Sequence, residues 1–585
     1  MTDREKIVSD DYYDLITDFM LPPRGAGVPW EYVPSPRGGG TAWDYVVQPV
    51  DGEIAVTYVL GSQISPINLT EYTYPALPKV YGLMNMEVGN GQGFDPTPLI
   101  YSGITQVQRA PLSLTGRGVV VGLLDTGIRY DEPVFLNPDG SSRILGIWDQ
   151  TIQSGEPPAG ILYGTEYGKE LIDLALQSDN PREVVPSYDD NGHGTAMASV
   201  AAGSSLGNGL RFLGAAPDAD IVMVKLRQAK PFLRDFYLVP DDAIVYAESD
   251  ILVALKYLES YAISLSRPLV ICFGIGTNMG DHEGHSVLAD YINRIATKRS
   301  RAVVVCGGNE GNSARHYMGT STPGMQETTD SVEVRVGEGT AGFTAELWGS
   351  ISANHAIAIR APGGETTSRV DFRGQGRREF RFIYERTRIQ IDHILVEQSS
   401  GEELIFFRFI DPTPGIWTIQ VIITSDRSSE TTFHIWLPVI EILQTNTYFL
   451  KPSPYTTLTE PSNARDIITT STYNDANGSL WSESGRGFTR SGQIKPDFSA
   501  PGVNISTILG PRTGPCLAAS LTAGAAAQFL QWAVVEGNRP WVESRELKNY
   551  LIRGADRSND LFYPNREWGY GKLDIAGTFE VLAGV

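Results

Sequence analysis

The chain has 585 residues, several times the usual domain size, so two to four domains and a large buried core are expected. Lys and Arg number 47 against 68 Asp and Glu, a formal net charge of −21 that repels nucleic-acid phosphates and anionic lipid. Three dispersed cysteines, Cys272, Cys306 and Cys516, exclude a disulfide framework; no Cys/His cluster has zinc spacing and no loop has calcium-ligand spacing, so neither metal nor cofactor is expected.

The acidic start, MTDREKIVSDDYYDLITDFM, lacks the basic and apolar segments of a secretory signal, which predicts a chain without a classical export route. Residues 1–85 read as a small N-terminal α+β unit, irregular around Pro22-Pro23 and Gly38-Gly39-Gly40, then strand-like in EIAVTYVLG up to Gly61. From Val119 to Leu124 the run VVVGLL predicts a buried parallel strand that delivers Asp125-Thr126-Gly127 to a loop. Similar runs follow at 221–226, 268–276 and 302–309, with helical patterns at 242–262 and 284–297. This alternation predicts an α/β core, a parallel sheet flanked by helices, over 86–325.

Between 326 and 445 the pattern changes to short alternating strands such as SVEVRV, AIAIRA, LIFFRFI and WTIQVIIT, an all-β insertion. The α/β character returns over 446–585, with an Ala-rich helix from about Leu517 to Glu536. Its apolar stretch is interrupted by Thr522, Gly524, Gln528 and Gln531, so a soluble protein with no membrane partner is expected.

Four segments carry residues suited to chemistry. Asp125 ends a buried strand, but a second Asp-Thr-Gly, which an aspartic peptidase needs, is missing. His193 lies between Gly192 and Gly194 before an Ala-rich helix; the glycines admit a substrate backbone, and the helix terminus disfavours imidazolium, which predicts a neutral general base. Asn309 follows Gly307-Gly308 at a strand end, where its amide can donate to a developing oxyanion. Cys516, in Gly514-Pro515-Cys516, opens a helix whose dipole favours a nucleophile. Taken singly, these are equally a strand–turn junction, a solvated histidine, a structural loop and a packed thiol.

Asp, His, Asn and then a nucleophile at a helix start is the chain order of the subtilisin-like serine peptidases. GRGVVVGLLDTGI, NGHGTAMASVAAG, LGAAPDADIVMVKL, VVVCGGNEG, GQIKPDFSAPGVNI and WGYGKLD resemble that family's blocks. The resemblance implies that Asp125 orients His193, that His193 is the general base and that Asn309 is an oxyanion donor. It also implies that Gly274-Ile275-Gly276 and Gly307-Gly308 line the substrate groove and its specificity pocket, and that the substrate is a protein or peptide. The overall plan resembles the clostridial Csp-type enzymes, which implies a jelly-roll-like domain at 326–445. It further implies an N-terminal prodomain, 1–85, whose end lies in the groove as an intramolecular inhibitor.

One block departs from the family. Where Gly-Thr-Ser-x-Ala-x-Pro is expected, the chain reads Gly514-Pro515-Cys516-Leu517-Ala518-Ala519-Ser520. Ser520 lies about 6 Å further along the same helix, which leaves Cys516 as the sensible nucleophile. A thiol facing His193 can ionise and attack a carbonyl, yet a thiolate leaves the tetrahedral intermediate more readily than an amine does, and the longer C–S bond displaces the oxyanion from its donors. Pro515 removes a backbone N–H beside the nucleophile. The reading is an endopeptidase of reduced activity; the alternative is a pseudoprotease that binds a partner without cutting it.

Overall fold

The computed structural model describes residues 1–18, 44–90, 93–204, 212–322, 325–371, 376–425 and 430–584; Pro22-Pro23 and Gly38-Gly39-Gly40 lie outside them. The apolar runs form the middle of a nine-stranded sheet. Its order is Ser479–Leu480, Ile468–Asn474, Arg301–Cys306, Leu269–Phe273, Val120–Asp125, Asp220–Lys225, Ile144–Asp149 and Thr165–Gly168, with Phe498–Pro501 paired to Ile468–Asn474. The centre is parallel, but Thr165–Gly168 and Ser479–Leu480 run antiparallel to their neighbours, so the sheet is mixed rather than wholly parallel. Short links suffice for such margins, whereas a parallel neighbour needs a crossover.

Val120–Asp125 is buried along its whole length. Val121 and Leu123 join a core that includes the helices His193–Ala202 and Pro515–Leu530, whereas Val120 and Leu124 face Glu248–Ser264 and Val287–Ala296. Coverage on both faces explains an unbroken apolar run. The helical pattern expected from 242 starts only at Glu248, because Val245–Ala247 is a strand that pairs with Val80–Leu83. Pro515–Leu530 is buried throughout, and among the described residues the stretch to Val535 is the one helix long and apolar enough to cross a membrane; here it is mostly enclosed by protein.

The inserted β unit has two antiparallel sheets. One runs His316–Thr320, Thr432–Trp436, Gly342–Gly349, Glu403–Ile410, Arg388–Ile394, Gly376–Arg381; the other runs Ala353–Arg360, Gly415–Ser425, Glu327–Val336, Tyr448–Phe449. Pairing of His316–Thr320 with Thr432–Trp436 starts this unit ten residues before the expected boundary at 326. In Glu403–Ile410, Ile405, Phe407 and Phe409 enter the core between the two sheets, while Leu404 and Phe406 enter a second core with Phe232, Phe236 and Leu77. The period is 2, but both faces are covered, so the strand reads LIFFRFI.

The N-terminal unit is a three-stranded sheet of Tyr12–Asp18, Ile54–Leu60 and Tyr45–Pro49. It is tied to the core by buried charges: Lys230 Nζ donates to the Tyr12 carbonyl at 2.7 Å, Ser249 donates to Asp14, and Arg227, paired with Asp250 at 2.7 Å, donates to the Ile7 carbonyl at 3.1 Å.

Candidate active site

Asp125, at the C-terminal end of its strand, meets His193 at the first turn of its helix: His193 Nδ1 lies 2.8 Å from Asp125 Oδ1 and 2.9 Å from Oδ2. Asp125 Oδ1 also accepts from the Thr126 N–H at 2.7 Å. The loop before His193 is held by Asp189, a residue to which sequence reasoning gave no role. Its carboxylate accepts from the Gly192 N–H, the Thr195 N–H, the Thr195 hydroxyl and the Thr126 hydroxyl, between 2.6 and 2.9 Å. The flanking glycines also have packing reasons, and Gly192 lines the cleft beside His193. Gly192 takes φ +90°, and a Cβ on Gly194 would lie 2.2 Å from the Gly127 carbonyl oxygen.

The strand Val80–Leu83 occupies the groove in front of this pair. It pairs antiparallel with Val245–Ala247 on one side and with Ile275–Gly276 on the other, and the Met84 N–H donates to the Gly274 carbonyl at 3.0 Å. The chain then passes Gly514, and Glu87–Val88 pairs with Gly510–Thr513. The Met84 carbonyl lies 3.0 Å from His193 Nε2. A carbonyl and a carboxylate only accept, so with this strand in place the surroundings of the ring favour a donor at both nitrogens. Burial opposes the imidazolium charge, but Asp125 and Cys516 outweigh it by charge and by hydrogen bond and raise the imidazole well above its ordinary value. The neutral ring expected from the helix terminus is therefore overturned: a helix dipole contributes about 0.3–1 kcal/mol, less than a buried carboxylate in direct contact.

Cys516 is fully buried at the second position of Pro515–Leu530, where first-turn N–H groups have no partner within the helix. Pro515 at the first position fits this start, since its absent N–H would be one of those groups. The Ser520 hydroxyl donates to the Cys516 carbonyl at 2.8 Å, one turn away from the thiol. Cys272 and Cys306 are buried free thiols, and burial raises both well above the ordinary thiol range.

Asn309 follows the strand Arg301–Cys306, and its Nδ2 donates to Glu441 Oε1 at 2.7 Å. Sequence reasoning missed Glu441, which arrives from the segment after the β unit. A cleft of about 540 Å³ opens beside His193, lined in part by Met84, Asn85, Glu441, Gln444 and Arg512.

The glycines expected to bind substrate divide into two groups. Ile275 and Gly276 pair with Leu83 and Gly82, and Gly274 accepts from Met84 while its bare Cα leaves room for Met197, Asp125 and His193. Gly307 and Gly308 instead pack against Leu458, Thr459 and Thr470. Thr459 stands between Gly276 and Gly308, its Oγ1 2.6 Å from where a Cβ would stand on either glycine.

A mixed sheet with an Asp–His pair at its strand ends, a thiol at the start of a buried helix and an extended strand beside them is the arrangement of a subtilisin-like scaffold. A model of the subtilase family matches residues 116–373 and 446–571, more than half of the chain, and the chain belongs to that family. The CspB protease of Clostridium perfringens is similar in structure, with TM-score 0.73 and 29% identity over 84% of this chain and 100% of that one. AprX, a serine protease of Bacillus subtilis, is 27% identical over 229 residues, 39% of this chain and 40% of AprX. The subtilisin-like protease SBT1.2 of Arabidopsis thaliana is 34% identical over 127 residues, 19% of this chain and 16% of that protein. The matched stretches span less than half the length of these curated relatives.

Proposed function

We propose that the chain is a subtilisin-like endopeptidase in which Cys516 is the nucleophile, Asp125 orients His193, His193 carries the proton and Asn309 holds the oxyanion. One observation carries this reading: an extended strand, Val80–Leu83 continuing to Met84, docks across the Asp125–His193 pair as a peptide substrate would. In the proposed reaction the groove strand has left and the ring is neutral at Nε2, so the Cys516 proton passes to His193 Nε2 as Sγ bonds to the substrate carbonyl carbon. The oxyanion is met by Asn309 Nδ2 and the Cys516 N–H. His193 then protonates the departing amine, and water hydrolyses the thioester. Thiolate expulsion competes with amine departure, so amides react more slowly than activated esters.

Substrates are proteins or peptides in this reading, residues 1–85 are an associated prodomain that inhibits in cis, and the β unit is a jelly-roll-like insertion between the two catalytic parts. A second reading, a pseudoprotease used as a binding scaffold, is favoured by the Met84 carbonyl facing His193 and by the engagement of Asn309 with Glu441. A Pro515→Thr, Cys516→Ser double variant separates the two. Intact mass is expected to show two pieces divided next to Asn85, and a single uncut chain favours the scaffold.

A further inference from the structure

The peptide group joining Met84 to Asn85 has its carbonyl 3.0 Å from His193 Nε2 and its N–H 3.0 Å from Glu441 Oε1. The C=O and N–H of a trans peptide point in opposite directions, so this carbonyl faces away from Glu441 and from the Asn309 amide bonded to it. Glu441 Oε1 thus accepts from Asn309 Nδ2 and from Asn85 N at once, between the oxyanion donor and the strand. It lines the cleft, while Asn309 and Cys516 lie buried, 6% and 0% exposed.

The segment that brings Glu441 here is anchored at several points. Leu437 O accepts from Asn278 Nδ2 at 3.1 Å, and the Ile440 N–H donates to Glu310 Oε1 at 3.0 Å. Val439 and Ile442 are buried in the core shared with the β unit and the N-terminal segment. The segment also presses on the strand, since a Cβ on Gly82 would lie 3.1 Å from Glu441 Cβ and 3.2 Å from Val439 Cγ2. Burial and the neighbouring Glu310 push the Glu441 carboxyl up to about 7. A carboxyl that retains its proton so readily is closely mimicked by a glutamine amide.

We propose that Glu441 is a positioning residue that holds the Met84–Asn85 peptide with its carbonyl turned from Asn309, so that the groove-bound strand stays unreactive until segment 437–443 withdraws. The inference rests on the peptidase reading of the site, but its test does not require turnover. Hydrogen exchange at the Asn85 amide and alkylation of Cys516 by iodoacetamide are measured in the parent, Glu441→Ala and Glu441→Gln. Glu441→Ala is expected to speed amide exchange by about tenfold or more and alkylation by a similar factor. Glu441→Gln, which keeps an oxygen to accept both bonds, is expected to stay within about threefold of the parent in both rates. If Glu441→Ala unfolds, Glu441→Asp, one methylene shorter, repeats the comparison with the charge retained. Unchanged Asn85 exchange on removing the carboxyl, or equal acceleration by Ala and Gln, overturns the latch whatever Cys516 does. Faster exchange together with an uncut Glu441→Ala, Pro515→Thr, Cys516→Ser chain upholds the latch and fails the peptidase reading instead.

Discussion

The two sides of the cleft differ in how completely they are built. On the Asp125–His193 side every polar group named above has partners: Thr126 supports Asp125, Asp189 gathers four donors from Gly192, Thr195 and Thr126, and the Thr126 hydroxyl accepts from the Gly194 N–H at 3.0 Å. On the Asn309–Cys516 side the helix starts with proline and a thiol, Asn309 Oδ1 has no partner, and its Nδ2 is engaged by Glu441. In the proposed reading, the half that would handle protons is complete, and the half that would hold an acyl group departs from the family pattern. Binding an extended strand needs the groove and little else, whereas cutting one needs both halves at once.

The largest effect expected from breaking this contrast is on the reactivity of Cys516. Because His193 is fixed by Asp125 and neighbours the thiol, His193→Ala should slow iodoacetamide labelling of Cys516 by about 10²-fold or more. Equal labelling of parent and variant, read by peptide mass after short exposures, would remove the thiol–imidazole pairing from the mechanism. Cys272 and Cys306, buried in strands of the central sheet, serve as unreactive internal controls.

A second prediction sharpens the other side. Asp189→Ala strands two backbone N–H groups and two hydroxyls in a buried loop, so unfolding stability should fall by about 3–5 kcal/mol. A denaturant midpoint unchanged from the parent would show that the loop before His193 holds its shape without Asp189.

The same contrast marks what could be read from the sequence. Asp125, His193, Asn309 and Cys516 each sit where an apolar run meets a glycine, a local signal that survives without knowledge of the fold. Glu441 carries no such signal. It lies 132 residues from Asn309, after the β unit, and acts only because Leu437 and Ile440 are pinned beneath the strand. Thr459 reaches Gly276 and Gly308 by the same kind of distant return, carried by its neighbour Glu460, which bridges Thr277. The glycines at 307 and 308 were visible as glycines, but their neighbours were not. The antiparallel sheet margins were likewise hidden, because a short hairpin strand looks like loop until its partner is known.

A smaller effect is expected from pH. The His193 imidazole is raised, so its stabilising contribution is fully present below its unfolded value near 6.5 and is lost as pH climbs through the folded value. The Glu441 carboxyl is raised from 4.5 to about 7, so its contribution is present below 4.5 and is lost through about 7. These two slopes have the same sign, a decline of at most about 1.4 kcal/mol per pH unit for each proton released, and the buried His282, His316 and His434, whose imidazoles burial lowers, oppose it below 6.5. Glu441→Gln should flatten the lower part of that decline and leave the upper part in place. The same pH dependence of melting temperature in the parent and in Glu441→Gln would contradict the assignment of a proton to Glu441.

The smallest effect should come from Ser520. Its hydroxyl bonds back to the Cys516 carbonyl within the helix and also touches the Cys272 thiol, so it is spent on structure rather than aimed into the cleft. Such back-bonding is a weak helix contribution, and alanine is the better helix former. Ser520→Ala should therefore change stability by no more than about 1 kcal/mol and leave Cys516 alkylation as it was. A large drop in alkylation would mean that the hydroxyl orders the first turn of the nucleophile helix, and part of the chemistry now assigned to His193 would pass to the helix itself.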